Sequence, residues 1–174
     1  LSRRQRQMCI RDRACAISAA ALKAGGEAIE PGITTAEIDK IIYDFIVRHG
    51  ARPNFLHLYG FPATACISVN DTVIHGIPNK QQQIRPGDIV SIDTGCKIDG
   101  FNGDNACTYA CGKIDLEAQR LLDVTKESLH RGIEMACGGN RVGDIGHAVQ
   151  SYVEENGFSV VRTFVGHGVG TVSY

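Results

Sequence analysis

Apolar residues recur at two different periods along this chain, and the period changes near residue 65. Ahead of that point Ile38, Ile41, Ile42, Phe45 and Ile46 fall at i, i+3, i+4, i+7 and i+8, the stripe of an amphipathic helix. Thr34-Thr35-Ala36-Glu37 stands directly before the stripe as a capping box, and Gly50 closes it. An alanine-rich stretch over residues 14–30 predicts an earlier helix that ends before Pro31-Gly32. Residues 51–63 mix aromatics and prolines without a period and read as a loop.

Beyond residue 65 the runs shorten. Residues 66–69, 72–75, 89–96 and 101–110 read as strands, separated by turn signals at Asn70-Asp71, Gly76-Ile77-Pro78-Asn79, Pro86-Gly87 and Asp99-Gly100. The last of these is a hairpin signal. Two helices follow. Asp115 caps the first, whose Leu121, Leu122, Thr125, Leu129 and Ile133 share a face; the second carries Ile145, Val149, Tyr152 and Val153 and stops at Gly157. A final strand is expected over residues 158–165, leading into Gly166-His167-Gly168-Val169-Gly170. Helices, then strands, then helices and a strand predict an α+β fold.

Length and charge narrow this picture. The 174 residues suffice for one well-filled domain, and no apolar run reaches the ~20 residues that cross a bilayer. The net charge is −1, yet residues 1–13 hold five arginines (Arg3, Arg4, Arg6, Arg11, Arg13) against the single acid Asp12. The remainder carries 13 basic and 18 acidic side chains, which leaves no broad basic face for nucleic acid. An arginine-rich start fits a nucleic-acid arm or a presequence. The chain also opens at Leu1 without an initiator Met, and residues 1–13 are expected to be a disordered or non-native flank to a domain over 14–174. Seven cysteines form no CxxC pair and are odd in number, as free thiols of a reducing cytoplasm would be.

The candidate chemistry centres on two aspartates. Asp93 ends the apolar run Ile89-Val90-Ser91-Ile92, where a carboxylate is costly unless its charge is compensated. Asp104 lies eleven residues later on the returning strand. With a four-residue loop over 97–100 the two would face one another directly, their Cβ atoms about 5 Å apart, and hold a cation or share a proton. The alternative for an aspartate near a hairpin is a turn former, the role expected of Asp99. His167, flanked by glycines, is a candidate third ligand. His75, before Gly76-Ile77-Pro78, is placed to donate a proton or hydrogen bond, or else is an ordinary packed histidine. No serine or cysteine has the setting of a covalent nucleophile, so metal-activated water is the better nucleophile for an enzyme.

These segments together resemble the type I methionine aminopeptidase family. The resemblance is carried by Asn70-Asp71-Thr72-Val73-Ile74-His75-Gly76-Ile77-Pro78, by Gly87-Asp88-Ile89-Val90-Ser91-Ile92-Asp93 and by Asp99-Gly100-Phe101-Asn102-Gly103-Asp104. It continues in Arg141-Val142-Gly143-Asp144-Ile145-Gly146 and in the 166–170 loop. It implies a pita-bread α+β fold around two divalent ions. By position Asp93 would hold one metal, Asp104 would bridge both and His167 would hold the other. His75 would bond the substrate around its scissile amide, with Cys66 and Phe61 lining the pocket for the methionine side chain. Carboxylates with one imidazole accept Mn, Fe, Co or Zn. The activity implied is removal of the initiator methionine from nascent polypeptides in the cytoplasm, with ribosome association and no membrane or specific nucleic-acid partner.

The same resemblance implies two further glutamate ligands and a second histidine beyond the 166–170 loop, where Thr171-Val172-Ser173-Tyr174 stand. The second half of the fold is therefore expected to be incomplete, and the 174 residues alone to bind metal weakly and turn over little substrate. The readings kept beside this one are a hydrolase of Xaa-Pro substrates, such as a prolidase, and a non-catalytic pita-bread protein that binds protein or RNA.

Overall fold

The computed structural model describes residues 2–164 and 166–171. Two units divide the chain, one formed by residues 1–114 with 168–174 and the other by residues 115–167.

The first unit is built on the antiparallel hairpin β3 (Ile89–Ile98) and β4 (Phe101–Ala110). Its turn is Asp99-Gly100, both left-handed at φ 49 and 88°, the I′-type geometry whose twist matches that of its strands. On its other side β3 pairs with β2 (Ala65–Val69) and, near its end, with the two-residue β1 (Arg52–Pro53). Residues 51–63 are thus not wholly loop, since they contain β1 and a 3-10 turn at Leu58–Gly60. Residues 72–75, expected as a strand, are irregular. Proline at 78 and the left-handed backbone of His75 break the extended run.

The pleat sends alternate β3 residues to opposite sides. Val90, Ile92, Thr94, Cys96 and Ile98 are buried against α1 (Arg3–Glu27) and α2 (Thr35–Arg48), whose Ala14, Ile17, Ala21, Ile38, Ile42 and Ile46 complete the core. Ser18 reaches from α1 to donate to the Thr94 carbonyl at 3.0 Å. The helix lies so close that a Cβ on Gly103 of β4 would come within 2.4 Å of the Ala14 carbonyl oxygen. Helix α1 begins eleven residues before the predicted start. Ser2 and Gln5 form a capping box, and nothing in residues 3–13 breaks a helix once one is nucleated. Helix α2 has the capping box read from the sequence, with Thr34 Oγ1 accepting from Glu37 N–H at 3.2 Å and Glu37 Oε2 from Thr34 N–H at 2.8 Å.

One polar residue locks α2 to the sheet. Asp39 lies beside the apolar stripe of its helix, and its Oδ1 accepts from the Thr64 and Ala65 N–H groups at 2.9 and 2.8 Å. Burial pushes its carboxyl above the ordinary value despite these two bonds.

The second unit is the helix pair α3 (Leu116–Glu134) and α4 (Val142–Glu155). Asp115 caps α3 through the Ala118 N–H at 2.7 Å. The buried residues of α3 are Val124, Ser128 and Gly132, whereas Leu121, Leu129 and Ile133 of the predicted apolar face are exposed. The seam is set by small residues, because a Cβ on Gly132 would lie 2.9 Å from Val149 Cγ2. Val153 is buried and Ile145, Val149 and Tyr152 are half-buried, as expected of α4. Residues 158–164 form no strand. Only helices neighbour them within their unit, and a strand exists only against a partner. Val165, the end of that expected strand, lies outside the described residues, as do Val172, Ser173 and Tyr174. Among the described residues no helix is long and apolar enough to cross a membrane.

The Asp39 contacts generate a stability prediction. Asp39→Ala strands two buried N–H groups, at about 1–3 kcal/mol each, and should lower the unfolding free energy in urea by ~2 kcal/mol or more. Asp39→Asn keeps one acceptor and sheds a charge that burial disfavours, so its loss should stay under ~1 kcal/mol. Equal losses for the two variants would show that the hydrogen bonds do not carry the effect.

Candidate metal centre

The side of the sheet turned away from α1 and α2 carries the odd-numbered residues of β3. Ser91, Asp93, Gly95 and Lys97 stand opposite Thr108, Ala106, Asp104 and Asn102 of β4, while Cys66 and Ser68 of β2 stand opposite Asp93 and Ser91. Most of these side chains are polar. Ser91 and Thr108 hydroxyls are 2.8 Å apart.

Asp93 and Asp104 therefore share a face, as expected, but do not oppose one another directly. Asp93 pairs with Ala106 and Asp104 with Gly95. The expected four-residue loop is a two-residue turn, which slides the register so that the aspartates become diagonal neighbours, roughly 7 Å apart between backbones. Two half-buried carboxylates on a diagonal can lean toward one cation. Gly95, opposite Asp104, adds no side chain to that space.

Cys66 reports on the electrostatics of this face. Its thiol is pushed up to about 12, by burial first and then by the negative charges of Asp93, Asp104 and Asp39. Both candidate ligands thus act on the same sulfur. In the metal-free protein the thiol keeps its proton at neutral pH, and the carboxylate oxygens beside it suit hard or borderline divalent ions. The donor chemistry fits a divalent metal. The shell is not closed by these residues, since among the described residues no three His, Cys, Asp or Glu side chains gather as a metal site.

His75 is exposed and left-handed at φ 57°, and the next residue fixes it. The Gly76 carbonyl accepts from Ile67 N–H at 2.9 Å and its N–H donates to Ser68 Oγ at 3.1 Å, along the edge of β2 that β3 does not use. A Cβ on Gly76 would fall 2.2 Å from the Ile67 oxygen, so only glycine admits this approach. His75 is thereby attached to the strand that carries Cys66. Phe61 is half-buried and closes the 3-10 turn, five residues before Cys66.

His167 is exposed and ends the second unit. Three residues later the chain is anchored in the first unit, where the Gly170 carbonyl accepts from both the backbone N–H and the Nδ2 of Asn102, each at 2.9 Å. The sequence reading passed over two residues that matter locally. Asp39 was detectable as an acid beside the stripe of α2. Asn102 carried no signal, since its importance depends on a partner 68 residues away.

The helix-backed antiparallel sheet thus carries Asp93 and Asp104 together on its open face, and comparison with known proteins assigns the class of protein. The chain belongs to metallopeptidase family M24, which it matches over residues 10–173. It is 54% identical over 144 residues to a methionine aminopeptidase of Clostridium perfringens, covering 83% of this chain and 57% of that relative. The crystal structure of methionine aminopeptidase from Rickettsia prowazekii is similar with a TM-score of 0.93 at 37% identity, over 97% of this chain and 67% of that one. That from Thermotoga maritima gives 0.92 at 36% identity, over 95% and 66%. The α+β, pita-bread architecture implied by the resemblance is thus the one observed. The chain spans a little over half the length of the curated relatives it matches.

The electrostatics generate a prediction about Cys66. In the folded, metal-free protein at pH 8, iodoacetamide should modify the exposed Cys107 and Cys137 and spare Cys66, read by peptide mass spectrometry. The raised thiol also favours the folded state at pH values below the ordinary 9.0, and that contribution is lost as pH climbs toward about 12. Alkylation of Cys66 as fast as Cys107 would contradict the placement of the three carboxylates around it.

Proposed function

We propose that this protein removes the N-terminal methionine from nascent polypeptides with water activated by two divalent metal ions. The observation that carries this reading is the convergence of Asp93, Asp104 and Cys66 on the open face of the sheet. Relatives named methionine aminopeptidases support it, as do the ordered segments around these residues. Asp93 and Asp104 would hold the metals, with Asp104 shared between them and His167 a further ligand. Bound there, the metals would polarise the scissile carbonyl and lower the pKa of the attacking water.

The other roles belong to side chains of this chain. His75 would hydrogen-bond the substrate around its first peptide bond. Cys66, held neutral, and Phe61 would line the pocket for the methionine side chain, an apolar thioether that a protonated thiol and an aromatic ring both suit. Mn, Fe, Co and Zn are all compatible with carboxylates plus an imidazole. The free thiols suit a cytoplasmic setting, where the substrate would be met as it leaves the ribosome. No membrane or specific nucleic-acid partner is part of this reading.

Expressed from its full reading frame and loaded with Mn(II) or Co(II), the protein should release methionine from a Met-Ala-Ser peptide and leave an Ala-Pro peptide intact. Asp104→Asn should cut kcat/KM at least a hundredfold, because several kcal/mol of charge stabilisation would go with the metal. Cleavage of the Ala-Pro peptide instead would favour the Xaa-Pro hydrolases, and metal-independent inertness on both would favour a binding protein. The 174 residues alone supply three of the five ligands the family resemblance implies. By titration calorimetry they should bind Mn(II) weakly; tight uptake of two ions would overturn that expectation.

A further inference from the structure

Ser68 is at the centre of the contact that brings the His75 segment to the sheet. It lies on β2 two residues after Cys66, one pleat repeat away, and opposite Ser91, so its side chain stands on the open face. The residue is buried. Along the outer edge of β2, Ile67 N–H donates to the Gly76 carbonyl at 2.9 Å. In a regular antiparallel pair Gly76 would return its own N–H to the Ile67 carbonyl. That N–H is donated to Ser68 Oγ instead, at 3.1 Å. A side-chain hydroxyl thus takes the place of a ladder acceptor.

The replacement has a direction. Backbone acceptors at the edge of β2 lie in the plane of the sheet, whereas Ser68 Oγ stands off that plane on the side of Cys66 and Asp93. An N–H aimed at this oxygen draws the chain at Gly76 out of the plane toward the open face. The segment is seated closely there, since a Cβ on Gly76 would fall 2.9 Å from the Ser68 Cα. Its other end is fastened to the start of β3. Asn70 N–H donates to the Ile89 carbonyl, and Asn70 Oδ1 accepts from the Ile89 N–H, both at 3.0 Å. Asn70 Nδ2 also donates to Asp88 Oδ1 at 2.9 Å. With that end held by β3, the height of residues 71–75 over the sheet is set at Gly76.

We propose that Ser68 is a positioning residue: its hydroxyl raises the backbone at Gly76 toward the open face and so sets where His75, one residue earlier, meets the substrate. Ser68, Gly76, Cys66 and Asp93 all belong to the first unit. This inference rests on the proposed role of His75 beside the scissile amide.

The test is a double-mutant cycle on the full reading frame loaded with Co(II), read as release of methionine from Met-Ala-Ser. Ser68→Ala removes only the hydroxyl. It should lower kcat by about tenfold to a hundredfold, as a small displacement does at a reacting centre, and leave Co(II) affinity at the wild-type value. In a His75→Ala background the same substitution should cost almost nothing further, because a residue that acts through another loses its effect once that other is gone. Circular dichroism establishes that each variant folds. A wild-type kcat for folded Ser68→Ala overturns the role and leaves the site reading standing. So does a loss that multiplies in full with that of His75→Ala, or a parallel loss of Co(II) affinity, either of which marks Ser68 as general support for the sheet. Should Ser68→Ala not fold, hydrogen exchange on the wild type decides: a protected Gly76 amide supports the role, and exchange at the rate of an open loop rejects it. If the wild type releases no methionine, or His75→Ala turns over as fast as the wild type, the site reading itself fails and takes this inference with it.

Discussion

The two-residue turn at Asp99-Gly100 is the constraint on which the rest of this arrangement depends. Both residues adopt left-handed backbone, and that geometry permits one register between β3 and β4. Because side chains alternate along a strand, a slip of one residue would exchange the two sides of the sheet. Val90, Ile92, Cys96 and Ile98 would leave the helices for the open face, and Asp93 would enter the core. Hydrophobic burial against α1 and α2 and the placing of the carboxylates are thus two outcomes of one register. The core enforces what the open face displays.

Close backbone approaches then convert that register into a site. Gly103 lets α1 press on β4 with no side chain between them, which seals that face of the hairpin against the helix and leaves the opposite face open. Gly76 brings the segment after His75 onto the edge of β2, so a residue without regular structure is carried by a strand. His75 bears a left-handed backbone as a result, a conformation histidine adopts more readily than most residues with a Cβ. Such strain survives only where the surroundings dictate it, here through the two hydrogen bonds of Gly76.

Local chemistry is what the sequence made legible. The capping box of α2, the Asp99-Gly100 turn, the amphipathic period of α2 and the Asp115 cap of α3 are all decided by residues within a few positions of one another, and each was readable. So were the two aspartates and the face they share, since the pleat has a period of two. The diagonal offset was not, because it follows from two residues of turn against four, and both lengths suit the same letters. The apolar face of α3 was misjudged for a related reason. Periodicity finds leucines and isoleucine, whereas the packed seam uses Ser128 and Gly132, which allow closer contact than larger side chains. Residues 158–164 look like a strand by composition, but strand formation depends on a partner that composition does not supply.

The charge on the open face also sets the state of its sulfur. Cys66 is the softest donor on this face and stands directly opposite Asp93. A soft thiolate there would favour zinc or copper and would be open to oxidation. Burial first, and then the negative charges of Asp93, Asp104 and Asp39, push that thiol up to about 12 and keep the sulfur protonated in the metal-free protein. The same feature makes the thiol a neutral, weakly polar wall beside the carboxylates. Asp93 and Asp104 thus act on this face twice, by their own charge and through the neutrality they help impose on Cys66.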